Sequence, residues 1–544
     1  MNKKIFLMIL LGTTLLYSNL FASTSYAATS NGQGSVSYVG KVNVSAMPKF
    51  KNQTHRFVMP FLPKNQSNFS EAKSNPKSIH LNGTWYRQAS RALIPAISSF
   101  KIIRTIPLYD GLDQSQCNCS PPDVQIAVGP DHVVEMVNTS EEIWQKHGLP
   151  ITTISLYDFF SVAQSDFLSD PRIFFDSASN RWFASILDVS ADSVKVAVSE
   201  TADPTKNWNI YDISFGTNCP DQPAIAANDD KFVVSANDFA NCLTNPTPVG
   251  AQYFVIDKAQ LIQGNPNPSM KSFGPDATEF SIMPAISLDS TSTMYMVSAY
   301  GSTSTLNLYS ISGAVPNVSS QTLALAMHPI NIPPEAAQKG TSTPLATNDD
   351  RILDAVWYNG KLWLSLTDSC IPVGDSQARS CVRLVEIDTG TSTIIQDFDL
   401  GTAGSYYFYP AISIDENGAL YVIFGYSSST SYPGLMFTTQ TITDNPNQLE
   451  PIQILKTGSA PDTSGRYGDY FDAAQDPSNM TNVFVAGEYH SIASSQSPWS
   501  TFIGGTVYDI TVPEFPYVIP IFMIGMMLLL VFYRMKWQKS GKPI

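Results

Sequence analysis

The chain has 544 residues, six cysteines and a formal charge of −14. That length excludes one small domain, the cysteine count excludes a disulfide-scaffold mini-protein, and the acidic balance excludes a general nucleic-acid binder. Charged residues are 14% and aromatics 11%, with 31 Gly and 37 Pro; ordinary soluble domains carry roughly 25% charged residues. This is the composition of a turn-rich, β-rich extracellular protein, not of a disordered chain, a helical bundle or a multi-pass membrane protein.

Residues 1–27 read as a secretory signal peptide. Lys3 and Lys4 open it, Ile5 to Phe21 is largely apolar, and Ser25-Tyr26-Ala27 is a small-x-Ala cleavage site. Residues 28–97 form a basic, Ser/Asn-rich arm. Residues 28–110 hold 11 Lys/Arg against 2 Asp/Glu, whereas 111–513 hold 15 against 43. Such an arm lies on the acidic body, touches an anionic surface polymer, or stands off as a solvated stalk. Nine Asn-x-Ser/Thr sequons suggest glycosylation: Asn43, Asn52, Asn65, Asn68, Asn82, Asn118, Asn138, Asn317 and Asn479.

The body, 98–512, is built on a repeat. Seven segments share an apolar strand, an Asp or Asn turn residue, and a second strand rich in aromatic and β-branched residues. The turn residues are Asp131, Asp176, Asn228, Asp289, Asn359, Asp415 and Asp476, spaced 45 to 70 residues apart. Asp/Asn followed by Gly, Ser or Asn favours tight hairpins, with Asn359-Gly360 the strongest case. A single hairpin cannot bury its faces, but a radial array of sheets can. The expected fold is all-β: a seven-bladed β-propeller, with six or eight blades as alternatives. Ser99 to Ile106 alternates like a strand, so 98–108 is a candidate to close the ring by completing the last blade.

In such a ring the starts of first strands and the ends of second strands share one face. That face collects the ligand-binding candidates Asp123, Asp170, Asp221, Asp238, Asp354, Asp368, Arg466, Asp469, Glu488 and Tyr489. Clustered carboxylates with aromatics suit a sugar, or calcium through hard oxygen ligands. Each single Asp is also an ordinary turn cap. Cys219 and Cys242 fall on this face and are placed to pair, as are Cys370 and Cys381. Cys117-Asn118-Cys119 is harder, because a bond within Cys-x-Cys is strained.

The runs AVGPDHVVEMVN (127–138), DPRIFFDSASNRWF (170–183), VVSANDF (233–239), YPAISIDENG (409–418) and RYGDYFDAAQDPSN, from Arg466, resemble secreted sialidase-like, BNR-like propellers of bacteria and archaea. The resemblance implies the propeller and brings no established activity. The Asp-box of true sialidases is absent, and their arginine triad has no match here. Glu488 and Tyr489 are adjacent on a strand, so their side chains point to opposite faces. There is no HExxH, no GxSxG elbow and no P-loop.

Val512-Pro513-Glu514-Phe515-Pro516 precedes an uncharged apolar run, 517–533, and a basic tail, 534–544, with Arg534, Lys536, Lys539 and Lys542. The run reads as a transmembrane segment with a cytoplasmic tail. A PEF motif at 513–516, an apolar run and a basic cluster together resemble the PEF-CTERM sorting signals of archaeal surface proteins. That resemblance implies an archaeosortase-type processing enzyme as a partner; a plain single-pass anchor is the alternative. The expected location is the extracellular face of the membrane. The expected role is a non-catalytic binding module for a glycan, a protein or an envelope component. A glycoside hydrolase or lyase using the face carboxylates, and a structural envelope protein, are the alternatives.

Overall fold

The computed structural model describes residues 25–27, 32, 34–49, 57–58, 102–241, 246–491 and 499–509. Each unit of the repeat becomes one mainly antiparallel sheet, with Ile286–Ser287 added parallel to Ile352–Tyr358, and the sheets form a seven-bladed β-propeller. Blade 1 runs from Gln125–Val128 to Pro150–Ser155, blade 2 from Leu168–Asp176 to Asn207–Ser214, and blade 3 from Cys219–Ala227 to Met270–Asp276. Blade 4 runs from Met283–Pro284 to Ser319–Ala326, blade 5 from Ile352–Tyr358 to Thr393–Leu400, and blade 6 from Tyr406–Ile414 to Gln453–Lys456. Blade 7 comprises Asp472–Gln475, Asn482–His490, Trp499–Asp509 and, outermost, Ile102–Asp113.

Every first hairpin turns at its Asp or Asn. Asn359 and Gly360 take φ of 47° and 79°, the left-handed pair that a two-residue hairpin needs. Asp415 Oδ1 accepts from the Asn417 and Ala419 N–H groups, both at 2.9 Å.

Apolar side chains fill the seams between blades. Trp182, Ile154 and Trp208 belong to the layer between blades 1 and 2; Phe183, Phe232 and Phe254 to that between 2 and 3. Val128, Val133, Trp144, Phe484 and Ile503 fill the seam between blades 7 and 1. Each fully buried large apolar side chain contributes about 1.5–3 kcal/mol.

Two segments of the N-terminal region add strands. Ser35–Asn43 pairs with the outer strand of blade 2, and Ser25–Ala27 with the outer strand of blade 4. Part of the expected arm therefore lies on the body. Lys41 ion-pairs with Glu200, and Asn43 Nδ2 donates to Asn207 Oδ1 at 2.7 Å. Opposite charge and an open sheet edge explain why this stretch docks. Ile102–Asp113 pairs with Trp499–Asp509, Ile103 opposite Tyr508 and Asp113 opposite Ser500. Chain start and chain end thus share one sheet.

Cys370 and Cys381 are bridged, with Cα atoms 5.8 Å apart. Cys117 and Cys119 are also bridged to each other, Cα atoms 5.1 Å apart. The sequence leaves the pairing of Cys117 and Cys119 open, and the structure closes it: Asn118 sits at φ 55° and turns the chain back on itself. Cys219 is disulfide-bonded, and its expected partner Cys242 lies outside the described residues. So do residues 1–24, Asn52, Asn65, Asn68, Asn82, the PEF motif, the 517–533 run and the basic tail. Among the described residues no helix is long and apolar enough to cross a membrane.

Ring closure through Ile102–Asp113 makes a direct prediction. Removing residues 98–108 should lower the thermal midpoint by many degrees, read by circular dichroism. An unchanged midpoint would show that the strand is dispensable.

Candidate functional site: the axial mouth

The innermost strands converge on the axis, and their first residues are sharply bent. Asp123, Asp170, Gln222, Ser281 and Tyr409 all take left-handed φ values between 47° and 55°. Bulges follow at Ser169/Arg172, Asp221/Ala224, Ile352/Asp354 and Phe408/Ala411. The bend takes backbone N–H groups out of their own sheets, and the inner edge of each first strand outside blade 5 has no sheet neighbour, so these groups need other acceptors.

Side chains of the neighbouring blade supply them. Asp170 Oδ2 accepts from Gln222 N–H at 2.9 Å, joining blade 2 to blade 3. Asp354 Oδ2 accepts from Ile412 N–H at 2.8 Å, joining 5 to 6. Asp472 Oδ2 accepts from Ile126 N–H at 3.0 Å, joining 7 to 1. Asn138 Oδ1 takes Asp170 N–H at 2.8 Å, joining 1 to 2, and Asn237 Oδ1 takes Ser281 N–H at 2.6 Å, joining 3 to 4. Asp350 accepts from Gly301 and Ser302 between blades 4 and 5. Gln475 Nε2 donates to Ile414 O at 2.9 Å between 6 and 7. Six of the seven seams carry a side-chain acceptor of this kind, and between blades 6 and 7 the side chain is the donor.

Of the expected candidates, Asp123, Asp170, Asp221, Arg466 and Asp469 gather at one mouth. Arg466 grips Asp469 with two nitrogens, NH1 to Oδ1 at 2.6 Å and NH2 to Oδ2. Asp123 Oδ2 accepts from Asn138 Nδ2 at 2.7 Å. Burial pushes Asp123 well above the usual carboxylate range, and Asp469 and Asp170 add to it. Burial, then Asp170, pushes Asp221 up to about 7. Asp354 and Asp472 lie deeper, where they line a small axial cavity of about 30 Å³ with Gln125, Arg172, Leu353 and Phe471. That is room for about one water. Glu488 sits behind the mouth, holding Gly468 N–H at 2.9 Å and His490 Nε2 at 3.0 Å.

Three candidates do not join this group. Asp238 accepts from Asn218 Nδ2 at 3.2 Å, and Asp368 binds Arg383 NH2 at 2.7 Å. Each follows a residue that staples the next blade (Asn237, Thr367), so strand alternation sends it to the other side. Tyr489 donates its hydroxyl to Asp110 Oδ1 at 2.8 Å, on the ring-closing strand and away from Glu488. Asn138 needs a second correction. It is fully buried and its side chain is bonded on both sides, so the folded chain has no room for a glycan there. Asn43, Asn317 and Asn479 are exposed and Asn118 is half-buried.

Sequence reasoning missed Arg172, Tyr470 and Tyr409, whereas it placed Arg351 on this face. Arg172 stacks over the Tyr470 ring at 3.7 Å and donates Nε–H to Pro223 O at 3.1 Å. Arg351 Nε donates to Asp349 Oδ1 at 2.6 Å. Tyr409 is fully buried, its hydroxyl 2.9 Å from the Ala346 carbonyl. The bends at Asp170 and Tyr409 gave no signal in the sequence, because a residue before proline favours extended backbone and these two take left-handed φ of 54° and 52°. Among the described residues, no three His, Cys, Asp or Glu side chains form a group that could hold a metal ion.

No protein-family model matches the chain, and no curated protein does. Among solved structures, a protein of unknown function from Dyadobacter fermentans aligns over 75% of this chain and 99% of its own, at 10% identity and TM-score 0.34. An α-L-arabinofuranosidase of Fusarium graminearum, in complex with an iminosugar inhibitor, aligns over 72% and 94%, at 10% identity and TM-score 0.34. A glycoside hydrolase aligns over 53% and 87%, at 8% identity and TM-score 0.29. Likenesses this distant say nothing about activity.

The staples are testable at Asp354, which burial pushes up to about 6. Asp354→Ala strands the Ile412 N–H and should cost about 1–3 kcal/mol in urea unfolding. Asp354→Asn keeps an acceptor and should cost less. The folded value lies above the unfolded value of about 3.9, so this carboxyl's contribution is largest below about pH 4 and falls as pH rises through about 6. Asp354→Asn should flatten that fall; equal losses for Ala and Asn at every pH would contradict the staple.

Proposed function

We propose that the chain is a cell-surface propeller that binds a glycan, a protein or an envelope component at the axial mouth without turning it over. One observation carries this reading. Asp170, Asp354 and Asp472 are committed to backbone N–H groups of the next blade and Asp469 to the Arg466 guanidinium, and the cavity behind them holds about 30 Å³. A sugar ring does not enter such a space, so a ligand meets the rim. Asp221, Gln222, Ser281, Asn348, Arg466 and Asp469 are half-buried there and offer both donors and acceptors. The signal-like start, the apolar C-terminal run and its basic tail favour the outer face of a membrane.

Glycan-array binding and a hydrolysis panel on the purified protein test the proposal together. Binding without turnover, weakened at least about tenfold by Asp221→Asn, is the expected outcome. Turnover of any glycoside or polysaccharide that Asp→Asn changes at the mouth abolish would establish the hydrolase or lyase instead.

A further inference from the structure

The seam between blades 7 and 1 is where chain start meets chain end, and its polar content is unlike a staple. Glu135 and Glu142 stand directly opposite each other on neighbouring strands of blade 1. Glu135 is 0% exposed and Glu142 5%. Both face the ring-closing strand Ile102–Asp113. Leu112 N–H donates to Glu135 Oε2 at 2.9 Å. A Cβ added to Gly111 would lie 2.5 Å from that same oxygen, so the closing strand rests on the carboxyl itself. Tyr109 packs on Trp144, ring centroids 5.1 Å apart, beside the pair.

The donors that meet these two carboxyls are neutral. Thr153 Oγ1 donates to Glu142 Oε1 at 3.1 Å and Gln116 Nε2 to Oε2 at 3.4 Å. Thr501 from blade 7 and Trp144 stand beside Glu135, and Asp113 adds negative charge beside Glu142. Among the described residues no lysine or arginine pairs with either glutamate; Lys146, at the far end of the hairpin, is paired with Asp476 at 2.5 Å. On the opposite side of the same hairpin Glu141 is fully buried, with neither carboxyl oxygen bonded. Two buried carboxyls on one rung with no cation cannot both ionise without repulsion.

We propose that this seam is a proton-held latch: Glu135 and Glu142 keep at least one proton between them while the ring is shut, and the seam loosens when both ionise. Burial pushes each of the two up to about 7, and Glu141 up to about 8. The unfolded values lie near 4.3. The folded chain therefore holds protons that the unfolded chain releases, and stability falls as pH rises from about 4.5 through about 7. The ring is tightest in mild acid and loosest in mild alkali.

Hydrogen–deuterium exchange of the full chain tests the latch. Protection of the 108–113 amides, corrected for intrinsic exchange, is compared with that of Thr305–Ser312 in blade 4 at about pH 6 and about pH 8.5. The ratio should fall at least about tenfold at the higher pH. Glu135→Gln should remove most of that fall, because Gln keeps an acceptor for Leu112 N–H and donates to Glu142. Glu141→Gln should leave it. A pH-independent ratio in the unaltered chain overturns the proposal, whether or not the variants fold. So does a fall that Glu141→Gln alone abolishes, or one that Glu135→Gln leaves intact.

Discussion

The backbone amides at the bends and on the inner edges of the innermost strands set the terms for this propeller. Strands converging on an axis bend at their starts and, outside blade 5, have a sheet neighbour on one side only, so the N–H groups at the bends and along the inner edge cannot pair within their own sheet. Water does not reach most of them, and an unpaired buried amide costs about 1–3 kcal/mol. Each blade answers for its neighbour: Asp170 for Gln222, Asp354 for Ile412, Asp472 for Ile126, with Asn138, Asn237 and Thr367 doing the same from second strands. The apolar seams make the blades stick, while these bonds fix their register around the axis.

The same constraint decides what the mouth can do. Its acids look like catalytic carboxylates in one dimension and act as acceptors in three. Left-handed backbone at Asp123, Asp170, Gln222 and Tyr409 costs of order 1–3 kcal/mol per residue, held in place by these bonds and by buried rings. Gly468, at φ 34°, lets the Arg466–Asp469 turn pass within reach of Glu488 and Tyr409. Arg172, stacked on Tyr470, lines the small axial cavity, so the proposed ligand would meet the rim.

The blade count was legible because hairpin turns depend on local residues. Asp176, Asn228, Asn359 and Asp415 announce their own turns, and the repeat spacing counts the blades. The pairing of Cys370 with Cys381 was legible for the same reason, being the two sides of one hairpin. What strand alternation does within a seam was harder to read. It separates Asp238 from Asn237 and Asp368 from Thr367, and it takes Asn138 from apparent glycan acceptor to buried bracket. Arg172 and Tyr409 stayed hidden because their partners lie in other blades, about 300 residues away for Tyr470. The Glu135–Glu142 rung depends on pairing across a hairpin and on a strand from before it.

Amide exchange at single-residue resolution measures the staples most directly. The N–H groups of Gln222, Ile412 and Ile126 should exchange as slowly as ladder amides in the middle of their strands, and Asp354→Ala should release Ile412 alone. Exchange of all three at the rate of exposed loop amides would contradict the claim that neighbouring carboxylates hold the blades together.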